Sequence, residues 1–227
     1  MKEVSNKAEE YLEAIYRLQE RIGVARTTEL ASALSIVPGS VTNTVQHLKK
    51  QGFVEHRPYK GISLTPKGEQ IALGVIRRHR LAERMLTDVL DAHWASVHES
   101  ACRLEPALDG DLTNLFEKRL GYPRYCPHGN PVPSEEGEIE QNEEDMLTTA
   151  NVDETVIVSR IIDEKRDKLL PLVDKGIKPG VEIHVLEKRD YSMVLQVAGK
   201  RCALDLESAS NVLIKTHKVD EDVQKRK

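Results

Sequence analysis

Apolar residues at Tyr11, Leu12, Ile15, Tyr16, Leu18 and Ile22 recur at helical spacing, so the pattern predicts an amphipathic helix that begins near Asn6 and stops at Gly23. Asn6 and Glu9 stand three residues apart, as in a reciprocal N-terminal cap. A second, short helix starts at Thr27 or Thr28, where a hydroxyl can cap it, and turns Leu30, Ala31 and Leu34 inward. Ser35 to Gly39 reads as a turn. A third helix follows from Ser40 through Lys50, with Val41, Val45 and Leu48 on its inner face and Gly52 as its stop. Phe53 to His56 and Ile62 to Leu64 flank Pro58, Tyr59, Lys60 and Gly61, which predicts a two-stranded hairpin.

Thr65, Pro66 and Glu69 combine a hydroxyl cap, proline at the first helical position and an early carboxylate, so a long helix is expected from there to about Leu90. Asp91 to Ala95 breaks it. Ser96 with Glu99 then has the form of a capping box for another helix. Ser134 to Asn151, with its run SEEGEIEQNEED, has the composition of a solvated linker. Strands are expected at Thr155–Ile162, Val181–Leu186, Ser192–Val197, Lys200–Leu204 and Asn211–Lys215, with a helix near Lys168–Asp174 and turns at Gly176 and Pro179-Gly180. A small β-barrel results, followed by a basic, frayed tail from Lys215 to Lys227.

Short helix, tight turn and longer helix make a helix-turn-helix, whose second member offers its first residues to base edges in a major groove. Ser40, Thr42, Asn43 and Thr44 occupy those places, with Pro38 and Gly39 leading into them and Thr27 and Thr28 opening the partner helix. Asparagine can pair bidentately with adenine, whereas serine and threonine contacts are less selective. The hairpin is then a wing, whose Arg57 and Lys60 can reach phosphates or a minor groove.

Charge supports this division. The net charge of -4 hides 13 Lys+Arg against 8 Asp+Glu in residues 1–80, 5 against 15 in residues 81–150, and 15 against 14 thereafter. A basic first third suits a polyanion, and an acidic middle suits cations or a partner surface. At 227 residues and 39% hydrophobic content, more than one core is expected. No apolar run approaches the roughly 18 residues of a membrane span, and MKEVSNKAEE has no signal-peptide character. Cys102, Cys126 and Cys202 are odd in number and widely spaced, which argues against a secreted disulfide framework. A cytoplasmic protein without membrane partners is expected.

The middle third also carries metal-ligand chemistry. His79 and Glu83 lie four residues apart on one helix, and His98, Cys102 and Glu105 form a second stripe at spacings of four and three. Glu10 and Glu13 add two carboxylates on one face of the first helix. Imidazole, carboxylate and thiolate together favour Fe(II), Mn(II) or Zn(II) over the all-oxygen shells of Ca(II) and Mg(II). Structural zinc is disfavoured because no CxxC pair is present. In the loop CPHGNPVP, Cys126 and His128 read as parts of a turn rather than as ligands, because proline, glycine and asparagine dominate it.

EEYLEAIYRL, VTNTVQHLKKQGFV, LTPKG, RRHRLAERMLTDVL, VHESACRLEP and CPHGNPVP, in this order, make the chain resemble the diphtheria toxin repressor and manganese transport regulator family of metal-dependent repressors. The resemblance implies an α+β multidomain fold. Its parts are a winged helix-turn-helix over 1–73, a helical metal-binding and dimerisation domain over 74–133, a linker over 134–151, and an SH3-like β-barrel domain with the tail over 152–227. By the same resemblance His79, Glu83 and His98 match an ancillary metal site, which two polar residues of the last domain, Glu164 and Asp167, are spaced to complete. Cys102 and Glu105 match part of the primary, activating site. That site departs from the family pattern, since Pro106 stands where a histidine ligand is usual, and Glu10 and Glu13 supply the first-helix positions.

The implied function is a homodimeric repressor that binds palindromic, double-stranded operator DNA when loaded with metal and so governs metal uptake or homeostasis. Fe(II) is expected first and Mn(II) next, the cysteine leaning toward iron and the glutamates toward manganese; Zn(II), Co(II) or Ni(II) can serve in vitro. Three other readings stay open at this point: a metalloenzyme using the same residues, a winged-helix regulator of a non-metal ligand, and a metal-buffering adaptor. The enzyme reading lacks a general base and a substrate pocket beyond the ligands, so no catalytic residues are assigned.

Overall fold

The computed structural model describes residues 4–57 and 60–216. The Pro58-Tyr59 tip of the expected hairpin and tail residues 217–227 lie outside them. Two compact units form: one from the residues up to Ala82 with Cys102–Arg124 and Val132–Glu140, the other from Glu83–Ala101, Tyr125–Pro131 and Gln141 onward.

The first unit opens with α1 (Asn6–Ile22), α2 (Thr27–Ala33) and α3 (Pro38–Lys50). Its core takes Tyr11, Leu12 and Ile15 from α1, Leu30 and Ala31 from α2, and Val41, Val45 and Leu48 from α3, the apolar positions the periodicity singles out. The caps differ in detail. Ser5, not Asn6, caps α1, accepting from the Ala8 amide at 3.3 Å. At α2 no hydroxyl caps the helix; the Glu29 carboxylate instead reaches back to the amide of the capping residue Arg26 at 3.1 Å. α3 starts two residues early because Pro38, with its preset φ, sits at the first helical position.

Strands β1 (Val54–Arg57) and β2 (Gly61–Leu64) pair antiparallel in the register Val54 with Leu64, forming the wing. The Ile62 amide also donates to the Ala25 carbonyl at 2.8 Å, so the segment before α2 joins the wing through a single antiparallel bridge. α4 (Pro66–Asp88) follows, with the Thr65 hydroxyl accepting from the Gly68 amide at 3.2 Å. Gly68 is required by contact: a Cβ there would lie 2.0 Å from the Phe53 carbonyl oxygen. The LTPKG segment therefore welds the wing to the start of α4.

α5 (His98–Leu104) begins without the expected capping box. The Ser96 hydroxyl donates to the His93 carbonyl, and Glu99 accepts from the Arg166 amide at 3.4 Å. After a 3-10 turn at Glu105–Ala107, α6 (Gly110–Arg119) starts at Asp109, whose side chain accepts from the Leu112 amide. Arg77 of α4 joins α6 through Asn114 at 3.0 Å and Glu117 at 2.8 Å.

The second unit holds a six-stranded antiparallel sheet in the order β3 (Asp145–Met146), β8 (Val212–Thr216), β4 (Thr155–Ile161), β5 (Glu182–Lys188), β6 (Ser192–Val197), β7 (Lys200–Asp205). α7 (Arg166–Val173) and α8 (Leu206–Ser210) contribute Leu169, Leu172 and Ala209 to a core with Val156, Val158, Ile161, Ile183, Val185, Leu195 and Leu204. Strand alternation predicts five of the six strands; the two-residue β3 carries too little pattern to be seen. The acidic stretch before it has a buried anchor. Glu144 accepts from Arg160 Nε at 2.6 Å and from the Ser159 hydroxyl. Among the described residues, no helix is long and apolar enough to cross a membrane.

Candidate functional site

The DNA-reading candidates lie together on the first unit. Thr28, Pro38, Gly39, Ser40, Thr42 and Asn43 are exposed, and Thr27 and Thr44 half-buried. Thr42 and Thr44 donate their hydroxyl protons back to the carbonyls of Pro38 and Ser40, at 3.2 and 3.1 Å, which keeps their oxygens and methyl groups outward but limits their freedom as donors. Asn43 offers on this face an exposed amide with donor and acceptor side by side for a base edge. Arg57 and Lys60 are exposed on the wing, and Arg57 pairs with Glu55 at 2.9 Å. An exposed pair of this kind is weak and is readily exchanged for a phosphate.

Within the second unit, Glu83, Cys126, His128 and Glu164 converge so that one ligand atom from each lies within 4.8 Å of all the others. Their exposures are 0, 3, 0 and 2%. Four elements bring them there: the last turns of α4, the loop over 125–131, and the segment between β4 and α7, with His98 added from the start of α5. His128 Nδ1 lies 3.3 Å from Glu83 and 3.6 Å from Glu164; His98 Nδ1 lies 3.5 and 3.4 Å from the same two carboxylates. Cys126 Sγ stands 3.8 Å from Glu164 and 3.9 Å from His128 Nδ1.

The loop's own chemistry aims these donors. His128 Nε2 lies 2.9 Å from the Trp94 carbonyl, which can only accept, so Nε2 carries the proton and Nδ1 is left facing the carboxylates. The Trp94 ring lies 5.8 Å from the imidazole. Asn130 donates to Glu164 at 2.7 Å and to the Ile161 carbonyl at 2.9 Å, and accepts from Arg160 at 3.2 Å, which fixes the Glu164 carboxylate. Gly129, at φ +84°, closes the turn between Cys126 and Asn130.

Electrostatics agree with the geometry. Burial opposes charge on His128, but Glu83, the Cys126 thiol and Glu164 outweigh it and hold the imidazole well above its ordinary value. Burial, followed by the charges of Glu83 and Glu164, pushes the Cys126 thiol up against the opposing pull of His128. Two buried carboxylates thus draw positive charge inward, and a thiolate here needs a cation beside it. Imidazole, thiol and carboxylates, oriented by a second layer of hydrogen bonds, fit a divalent transition ion.

The sequence-derived ligands divide as follows. Glu83, His98 and Glu164 are brought together, whereas Asp167 is exposed in the first turn of α7 and belongs to none of the ligand clusters among the described residues. His79 is buried one turn before Glu83 on α4, with Nδ1 3.9 Å from Cys102 Sγ. Glu10 is exposed, Glu13 is held by Arg17 at 2.9 Å, and Glu105 by Arg78 at 2.6 Å. Burial raises the Glu105 carboxyl; Arg78 pulls it down, and the neighbouring Glu13 and Glu9 push it up again. Reading the CPHGNP loop as a turn accounts for Gly129 and Asn130 but not for Cys126 and His128 buried against carboxylates. The signal lay in a thiol and an imidazole spaced two apart in one loop; their carboxylate partners are 38 or more residues away from Cys126 and 36 or more from His128 in sequence.

Comparison with known proteins places these features. Residues 3–62 match the iron dependent repressor N-terminal DNA binding domain, residues 65–134 the iron dependent repressor metal binding and dimerisation domain, and residues 146–216 the FeoA domain. The diphtheria toxin repressor of Corynebacterium glutamicum is 29% identical over 200 residues, covering 83% of this chain and 87% of that protein. The iron-dependent repressor IdeR of Mycobacterium bovis is 35% identical over 133 residues, 59% of this chain and 58% of that one. A manganese-dependent transcriptional repressor in complex with manganese has a similar structure, with a TM-score of 0.86, 27% identity, and coverage of 92% of this chain and 99% of that one. The two repressor domains together match more than half of the chain and the third match is the SH3-like domain that follows them, so the chain belongs to the diphtheria toxin repressor family and is a metal-dependent transcriptional repressor, not an enzyme.

Proposed function

We propose that this repressor binds palindromic operator DNA as a homodimer in the cytoplasm, and that its affinity is switched by Fe(II), or next by Mn(II), held at Glu83, His98, Cys126, His128 and Glu164. The carrying observation is the convergence of two carboxylates, an imidazole and a thiol at buried positions. His79, which the family resemblance assigns to the same site as Glu83 and His98, stands one turn before Glu83 on α4. When bound, the ion supplies the positive charge that lets both carboxylates and a thiolate share one buried site. The mixed donor set supports Fe(II), Mn(II), Zn(II) or Co(II) over Ca(II) and Mg(II), and the thiol supports iron first.

Glu83 sits on the helix that starts against the wing at Gly68, so gathering the donors holds the far end of that helix. Leu104, Leu112 and Leu115, exposed around α5 and α6, suit the dimer contact. In a dimer, two copies of α3 would enter successive major grooves about 34 Å apart. Metal and DNA favour the same conformer, and by linkage each tightens the other by the same factor, typically about 5- to 150-fold.

The direct test is an anaerobic operator titration against Fe(II), Mn(II), Zn(II) and Co(II) at fixed ionic strength, since phosphate contacts make affinity salt-dependent. Operator affinity should rise with metal, most with Fe(II), and return to baseline with chelator. Equal affinity of stripped and loaded protein overturns the reading. Asn43→Ala should lose about 1–3 kcal/mol of discrimination between operator and scrambled DNA, with little change in nonspecific affinity. Equal losses on both DNAs in a competition assay would remove Asn43 from base readout.

A further inference from the structure

Arg78 cross-links three segments of the first unit. Its Nη2 lies 2.8 Å from Glu9 of α1 and 2.6 Å from Glu105 in the turn after α5, and its Nε lies 2.7 Å from the same Glu105 oxygen. The side chains of Arg78, Glu9 and Glu105 are only 19, 21 and 11% exposed. α1 packs into one core with α2 and α3, so the bridge runs from the body carrying the recognition helix to the end of α5.

These contacts bear on the activating site that the family resemblance places at Glu10, Glu13, Cys102 and Glu105. The three carboxylates do not gather around an ion, and Cys102 Sγ lies instead 3.9 Å from His79 Nδ1. Glu105 already accepts a hydrogen bond from Arg78 Nε and pairs with Nη2 of the same guanidinium, Glu13 accepts from Arg17, Glu10 is exposed, and Pro106 has no side-chain donor. Among the described residues, no ligand cluster contains Glu10, Glu13 or Glu105. An ion reaching Glu105 would have to share the carboxylate with a guanidinium already seated against it, and like charges repel.

We propose that Arg78 is the permanent cation of this site, holding α1 to the end of α5 whether or not metal is present, so that metal control passes through the buried Glu83 centre alone. The inference rests on the metal-dependent reading above and concerns which site carries the control. Permanent bridging makes one of the two links constitutive and leaves the other to be switched.

The test compares wild type with Glu105→Gln, Arg78→Met and Arg78→Lys as full-length proteins. Bound Mn(II) per chain is counted by equilibrium dialysis, and operator affinity is measured with and without Mn(II). Glu105→Gln should bind as many Mn(II) ions as wild type and lose about tenfold in operator affinity equally in the stripped and loaded forms, within the usual range for such couplings. Arg78→Met should behave the same way, and Arg78→Lys, which keeps the charge without the fork, should fall between it and wild type. A Glu105→Gln protein that loses one Mn(II) and binds operator poorly only when loaded overturns the proposal while leaving the buried centre standing. Wild type that binds neither Mn(II) nor, in an anaerobic repeat, Fe(II) overturns both.

Discussion

With Glu83 replaced by Gln, chelator-stripped and metal-loaded protein should bind operator DNA with the same low affinity. Glutamine keeps the shape of the side chain and removes its charge from a position with no solvent exposure, next to His98 and His128. Removing a ligand should cost at least as much as removing an outer hydrogen bond to one, so metal affinity should fall by at least about 10- to 100-fold. The stability readout separates this role from a packing role. In the stripped protein the substitution removes one of the two crowded carboxylates and leaves Glu164, so its melting temperature should not fall much below that of stripped wild type. Added Fe(II) or Mn(II) should raise the melting temperature of wild type by mass action and leave the variant where it was. A variant that still gains both stability and operator affinity from metal would remove Glu83 from the centre.

Gly129→Ala should disable the same centre without touching a ligand. At φ +84° a side chain costs roughly 1–2 kcal/mol, and the new Cβ would meet the Ser159 carbonyl at 2.2 Å and Arg160 Cα at 2.9 Å. Both are backbone atoms of β4, which cannot swing aside as a side-chain tip can. Overpacking of this kind adds about 1–3 kcal/mol. The loop must therefore lift away from β4, carrying Cys126 and His128 out of register with Glu83 and Glu164. Denaturant unfolding should show a loss of about 2–5 kcal/mol for the second unit, together with weaker metal binding. Wild-type stability and wild-type metal affinity in this variant would show that the turn has another conformation available.

Val41, Val45 and Leu48 declared the inner face of α3, because a helix repeats its faces every three to four residues and solvent sorts them. Glu83 and His98 were legible for the same reason, each sitting on a helix with a second donor at stacking distance. α6 was missed although Asp109 caps it, since its apolar Leu112 and Leu115 remain exposed and leave a weak pattern. The capping box at Ser96 was overestimated because motif spacing ignores rivals: Glu99 instead accepts from Arg166, 67 residues on.

Local order in this chain, most of its helices, its wing and most of its strands, followed from periodicity and from proline, glycine and capping residues, since those effects act within a few residues. So did the presence of metal-type donors and the polar start of the reading helix. Tertiary structure alone decided which donors meet. It joined Cys126 and His128 to Glu83 and Glu164, and gave Glu105 to Arg78, because partnership between buried charges is set by which distant segments share one low-dielectric space, and spacing along the chain carries no record of that.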